Sequence, residues 1–149
     1  MENLFTVSEV KLTYKRTTEI SEVLKVLSTK DVVNVLRNCY DTETLDLITS
    51  FKVLLLSPAK NVISILNVSD GHSYAKEKVK LIMQAALLSN AERIVISHNH
   101  TDGDLTIRAM DDYITKQVKK ACEIMNIELF DSIILTSESY YSYAENKRL

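Results

Sequence analysis

Two histidines, His98 and His100, stand two apart at the end of the apolar run "RIVISHNH", and Asp102, Asp104, Asp111 and Asp112 follow closely. Side chains of a strand alternate between its faces, so a strand reaching this far points Ile94, Ile96, His98 and His100 the same way. Both imidazoles then sit at the strand's C-terminal end, where α/β sheets place their ligands. The next segment, "TIRAMDDYITKQVKKACEIMN", reads as an amphipathic helix with Thr106 as N-cap. At ~100° per residue its apolar stripe runs through Ile107, Met110, Ile114, Val118, Cys122 and Met125. Asp111 falls inside that stripe, whereas Asp112 projects outward. A carboxylate on a buried face is costly unless a cation or hydrogen-bond donors compensate it. Two imidazole nitrogens and one carboxylate oxygen suit Zn²⁺, with a fourth position left for water whose pKa would fall to ~7. The same spacing also admits a plainer arrangement, in which both histidines are surface loop residues and Asp111 lies on the solvent face. The third histidine, His72, follows Gly71 in a polar turn and reads as solvated.

The elements around this stretch must bring the three groups together. "FTVSEVKLTYK" alternates apolar and polar residues, and Val7, Val10, Leu12 and Tyr14 suggest an edge strand with a slip in register. "STKDVVNVLRNCY" reads as a helix capped by Ser28 or Thr29, facing inward with Val32, Val35, Leu36 and Cys39. "SFKVLLLS" and "NVISILNVS" form a hairpin turning at Pro58. A helix follows in "YAKEKVKLIMQAALLSN", with Val79, Ile82, Met83, Ala86 and Leu87 on one side and Asn90 as C-cap. "IELFDSIIL" and "SYYSYAE" close the chain as strands. Strands alternate with helices after Pro58, so the expected class is α/β, a mixed sheet flanked by helices.

The 149 residues fit one compact domain, 1–149, with enough chain to bury a core. Hydrophobic content of 46% and charged content of 26% argue against disorder. A net charge of -2 gives no electrostatic reason to expect a nucleic-acid partner or an anionic membrane. Cys39 and Cys122 lie far apart and form no C-x-x-C pair, so they read as reduced thiols of a cytoplasmic protein. The N-terminus lacks a basic region followed by an apolar core, and the apolar run "VLLL" is too short to span a bilayer.

"SHNHTDGDLTIRAMDD" resembles the H-x-H-x7-S-x2-D signature of the JAB/MPN+ (JAMM) metalloproteases, and most of all their RadC-like branch. The likeness extends through "FKVLLLSPAKNVISILNVSDG", "AALLSNAERIVISHNH", "IMNIELFDSIIL" and "YYSYAE", covering roughly residues 45–145, while the segment before it is less certainly matched. The resemblance implies the JAB/MPN fold, related to the cytidine deaminases. It does not carry over the deaminase chemistry, because H-x-E and P-C-x-x-C are absent. It implies that His98, His100 and Asp111 are zinc ligands. In the family, zinc-bound water attacks an amide or isopeptide carbonyl, a distant glutamate acts as base, and the motif serine supports the oxyanion.

The chain departs from that pattern where turnover is decided. The glutamate position, two residues before the Phe of "FKVLLL", is Thr49, and threonine cannot take and return a proton near neutral pH. The serine position is Arg108, whose guanidinium can steady an oxyanion, attract an acidic ligand, fill the pocket or simply be solvated. Pro-Ser after the histidines becomes Thr101-Asp102, and Leu-Asp-His becomes Phe130-Asp131-Ser132. Glu43, Asp46 and Asp102 are the acids that stand near enough in sequence to relocate the base, each with a plainer reading as a solvated or turn residue. Three functions therefore compete: a zinc peptidase or isopeptidase with impaired catalysis, a non-catalytic module binding a peptide or protein partner, and a DNA-repair role. The last rests on the family's traditional label alone, and the acidic pI and missing helix-hairpin-helix region argue against it.

Overall fold

A computed structural model describes residues 24–70 and 75–149, together with Ser8 and Lys15. The expected edge strand at Val7–Tyr14 and the turn at His72 lie outside the described residues. The described chain is α/β, with the order α1 (Thr29–Cys39), β1 (Ser50–Leu56), β2 (Val62–Asp70), α2 (Ala75–Leu88), β3 (Arg93–Asn99), α3 (Ala109–Ile124), β4 (Glu128–Leu135) and β5 (Tyr140–Ser142). Among the described residues the sheet has five strands in the order β2-β1-β3-β4-β5. Only β3 and β4 run parallel; the other neighbours are antiparallel, so the sheet is mixed as expected.

Strand parity divides the core into two layers. Phe51, Val53 and Leu55 of β1 and Ile94 and Ile96 of β3 face α2 and α3, meeting Ile82, Met83, Ala86, Ile114, Val118 and Cys122. Leu54, Leu56 and Val95 face the other way, against Val32, Val33 and Leu36 of α1. Full burial of each such aliphatic side chain stabilises the fold by roughly 1.5–3 kcal/mol over leaving it in water. On α1 the inward face is thus Val32, Val33 and Leu36, with Val35 and Cys39 only half-buried. Ser28 caps this helix reciprocally, accepting the Asp31 N–H while the Asp31 carboxylate accepts the Ser28 N–H. On α2, Ile82, Met83 and Ala86 are buried as expected, but Leu87 is 53% exposed, and Asn90 takes the left-handed φ of 55° just past the helix end.

The parallel β3–β4 pair is what creates the site. Parallel neighbours need a crossover, so the chain must leave the C-terminal end of β3 and return across the sheet as a helix. α3 supplies that crossover, and its first turn necessarily lies beside the last residues of β3.

Candidate metal centre

His98 is the penultimate residue of β3, paired in register with Phe51 of β1 and Ile134 of β4. His100 follows the strand, yet its backbone N–H still donates to the Leu135 carbonyl at 2.9 Å, so the extended geometry runs far enough to keep both rings on one side. The ring centroids are 5.2 Å apart. Ser97 and Asn99 point to the opposite face, where the Ser97 hydroxyl lies 3.1 Å from the Tyr40 hydroxyl.

Asp111 completes the cluster from the first turn of α3. It is 6% exposed, and His98 and His100 are buried with it. His98 Nε2 lies 2.9 Å from Asp111 Oδ1, and His100 Nε2 lies 3.2 Å from Asp111 Oδ2. The second carboxylate oxygen is also held from behind, accepting the Arg108 backbone N–H at 2.7 Å. That bond caps α3, and it fixes the helix start: Arg108, not Thr106, occupies the N-cap position. Thr106 instead bonds back to the Asp104 carboxylate, closing a turn of its own. The buried residues of α3 are Asp111, Ile114, Thr115, Val118 and Cys122, whereas Met110 near its start is 64% exposed and Met125 at its end is exposed. Asp112 projects away as expected, accepting bonds from Tyr143 Oη and the Arg148 guanidinium.

The protonation of His100 decides what the cluster can do. Its Nδ1 lies 2.7 Å from the Asp104 carbonyl oxygen, which can only accept, so Nδ1 carries the proton and Nε2 of the neutral ring is a bare lone pair. That lone pair is buried and has no hydrogen-bond partner, although a carboxylate oxygen stands 3.2 Å away. Two acceptors facing each other in a buried site are unfavourable, and a cation between them resolves the conflict. Burial holds the His98 imidazole below the usual histidine range, against the opposing pull of Asp111, which favours the neutral ring a metal needs. Burial alone would raise the Asp111 carboxyl, but His98, the Arg108 N–H and His100 together hold it down at about 2. Imidazole nitrogens and an ionised carboxylate are a ligand set, and the three donor atoms lie within 4.8 Å of one another. His98, His100 and Asp111 can therefore hold a metal ion.

The remaining residues singled out from sequence do not join this cluster. Arg108 turns its guanidinium to Asp102, with Nη2 2.5 Å from Oδ2 and both side chains about half exposed. Glu43 and Asp46 are exposed on the turn that precedes β1. Thr49 is half-buried just before β1, two residues ahead of Phe51, which pairs with His98. Asp131 and Ser132 are buried in β4 beside half-buried Phe130, and Asp131 accepts bonds from the Ser132 and Ala144 N–H groups and the Ser142 hydroxyl.

Three features of the surroundings went unread in the sequence. The Phe51 ring lies parallel to His98, with centroids 6.0 Å apart and planes within 2°. The Lys78 ammonium of α2 sits over the other ring, Phe51, 4.9 Å from its centroid. Asn99, between the two histidines, donates to the Leu45 and Ile48 carbonyls and accepts the Ser50 N–H, clamping the turn before β1 to the ligand strand. A polar residue of opposite parity between two inward histidines is the signal that could have flagged Asn99 as buried and bonded.

The family model for the RadC-like JAB domain matches residues 26–148. A "UPF0758 protein" of Flavobacterium johnsoniae is 29% identical over 132 residues, covering 88% of this chain and 56% of the relative. Proteins of the same name from Psychrobacter arcticus and Psychrobacter cryohalolentis are each 33% identical over 97 residues, covering 64% of this chain and 43% of theirs. The chain thus spans about half the length of the curated relatives it matches. No helix among the described residues is long and apolar enough to cross a membrane.

Proposed function

The chain belongs to the RadC-like JAB domain family, and from that premise we propose that it is a JAMM-type zinc domain that binds a peptide-like ligand but hydrolyses it poorly. His98, His100 and Asp111 hold the ion. The observation that carries the reading is the buried His100 lone pair set against Asp111, with the ring's other nitrogen committed to the Asp104 carbonyl. Bound zinc supplies Lewis acidity, polarising a carbonyl and lowering the pKa of water to about 7.

Hydrolysis of an amide also needs a side chain to take a proton and return it to the leaving nitrogen. The resemblance puts a glutamate at Thr49, two residues before the Phe51 that pairs with His98, and threonine there supplies no such group. Glu43 and Asp46 are turned to solvent, and the Asp102 carboxylate is engaged by Arg108. Loss of a positioned general base costs roughly 10²–10⁴-fold in rate. Ligand binding and orientation do not need that base, which supports a binding role for the same site.

The test is to assay zinc-loaded protein against a panel of peptide and isopeptide substrates beside a Thr49→Glu variant. The wild type should show little turnover, and the variant should gain hydrolysis by at least tenfold. Robust wild-type turnover that disappears on replacing Glu43, Asp46 or Asp102 would reveal a relocated base and defeat the proposal.

A further inference from the structure

Among the described residues, Lys78 is a cation close enough for its charge to be felt at His98, and it has no acidic partner there. We propose that Lys78 recognises a carboxylate on the ligand taken by this site, holding it over the Phe51 ring beside His98; the inference rests on the metal-site reading above.

Lys78, Phe51 and His98 form a layered arrangement. The Lys78 ammonium lies 4.9 Å from the Phe51 ring centroid, and that ring lies parallel to the imidazole of the ligand His98. The stack spans α2, β1 and β3, so the packing of the core, rather than a surface loop, places the ammonium. Lys78 is half-buried, and desolvation alone holds its pKa below the usual lysine range while its charge is felt at His98. An ammonium that has given up water ordinarily gains a carboxylate in exchange. Among the described residues none pairs with Lys78; the aromatic face of Phe51 is its partner. The other cation near the site, Arg108, is already joined to Asp102.

Charge balance points the same way. A divalent ion with the Asp111 carboxylate as its one anionic ligand leaves the centre positive, and Lys78 adds to that charge. Thr49, where the resemblance expects a glutamate, contributes no negative charge. A site of this kind attracts an anion and binds a neutral amide less well. An ammonium pairs with a carboxylate, the anionic group that a peptide-like ligand carries. The terminal carboxylate of a peptide and an acidic side chain present the same chemistry.

Calorimetric titration of the full, zinc-loaded chain separates these sources. N-acetylglycine carries a terminal carboxylate, N-acetylaspartic acid α-amide a side-chain carboxylate, and N-acetylglycinamide neither. The wild type should bind one of the carboxylates at least tenfold more tightly than the neutral amide, and the tighter of the two assigns the source. Lys78→Met should remove that preference, while Lys78→Arg should keep most of it, with zinc stoichiometry unchanged in both. A preference that survives in Lys78→Met, its absence in a zinc-loaded wild type, or tighter binding of inorganic phosphate would overturn the inference. Failure of the wild type to bind zinc at all would instead strike the metal reading beneath it.

Discussion

Replacing Asp111 by asparagine separates a metal ligand from a helix cap, because the carboxylate serves both roles. The carboxylate accepts the Arg108 N–H at 2.7 Å and stands 2.9 Å from His98 Nε2. An amide oxygen can keep the cap, and its NH₂ can face His98 in the other tautomer, so the contacts survive in neutral form. Charge-assisted hydrogen bonds are about twice as strong as neutral ones, so the loss without zinc should be about 2 kcal/mol. For a domain of this size that is a drop in Tm of about 4–8 °C. Zinc at a hundredfold excess over its Kd should then stabilise the wild type by about 2.7 kcal/mol. The variant, left with two imidazoles, should gain little of this, so the gap between the two proteins should roughly double on adding zinc. Urea unfolding of both proteins, in chelator and in zinc, measures all four corners of the cycle. An equal gap under both conditions would show that Asp111 only caps α3 and steadies His98, and the metal argument would fail.

Other expectations concern the supports around the site. Asn99→Ala leaves the Leu45 and Ile48 carbonyls and the Ser50 N–H without their side-chain partner; denaturant unfolding should show a loss of about 3 kcal/mol, and amide exchange at Ser50 should quicken. Asp131 should tolerate asparagine, whose oxygen can keep the Ser132 and Ala144 donors while its NH₂ faces Ser142 Oγ, whereas Asp131→Ala should cost about 3 kcal/mol. Burial raises the Asp131 carboxyl above its usual 3.8 despite those donors, so the folded state takes up this proton first as pH falls. The wild type should therefore gain stability relative to Asp131→Asn as pH drops through that raised pKa, and the reverse trend would contradict the assignment. Burial pushes the Cys122 thiol up to about 12, so a thiol reagent at pH 8 should label Cys122 only on unfolding; rapid labelling of native protein would show that the α3 face is open.

The sheet and the convergence of His98, His100 and Asp111 were legible because they rest on strong local rules. Period-two alternation in "RIVISHNH" fixes the side on which His98 and His100 lie, and Asp111 stands out as an acid on an inward helical face. The start of α3 was not legible. Thr106 is the better capping residue by type, but Asp104 draws it into a turn, and Asp111 sets the N-terminus by reaching back to Arg108. Met110 was assigned inward, but in the first turn of α3 it is the adjacent Asp111 that is buried, and Met110 is 64% exposed. Leu87 failed for a related reason: its neighbours Ile82, Met83 and Ala86 fill the available surface, and the stripe is narrower than the apolar residues on offer. The stack of Lys78, Phe51 and His98 depends on three elements distant in sequence, and no local pattern announces it.

X-ray absorption at the zinc edge, on protein carrying one equivalent of the metal, tests the central claim most directly. The two imidazoles and the Asp111 carboxylate should give a shell of nitrogen and oxygen scatterers at about 2.0–2.2 Å, with the outer-ring signature of histidine and no sulfur. A sulfur scatterer at about 2.3 Å, implicating Cys39 or Cys122, or a fully hydrated ion without imidazole, would contradict it.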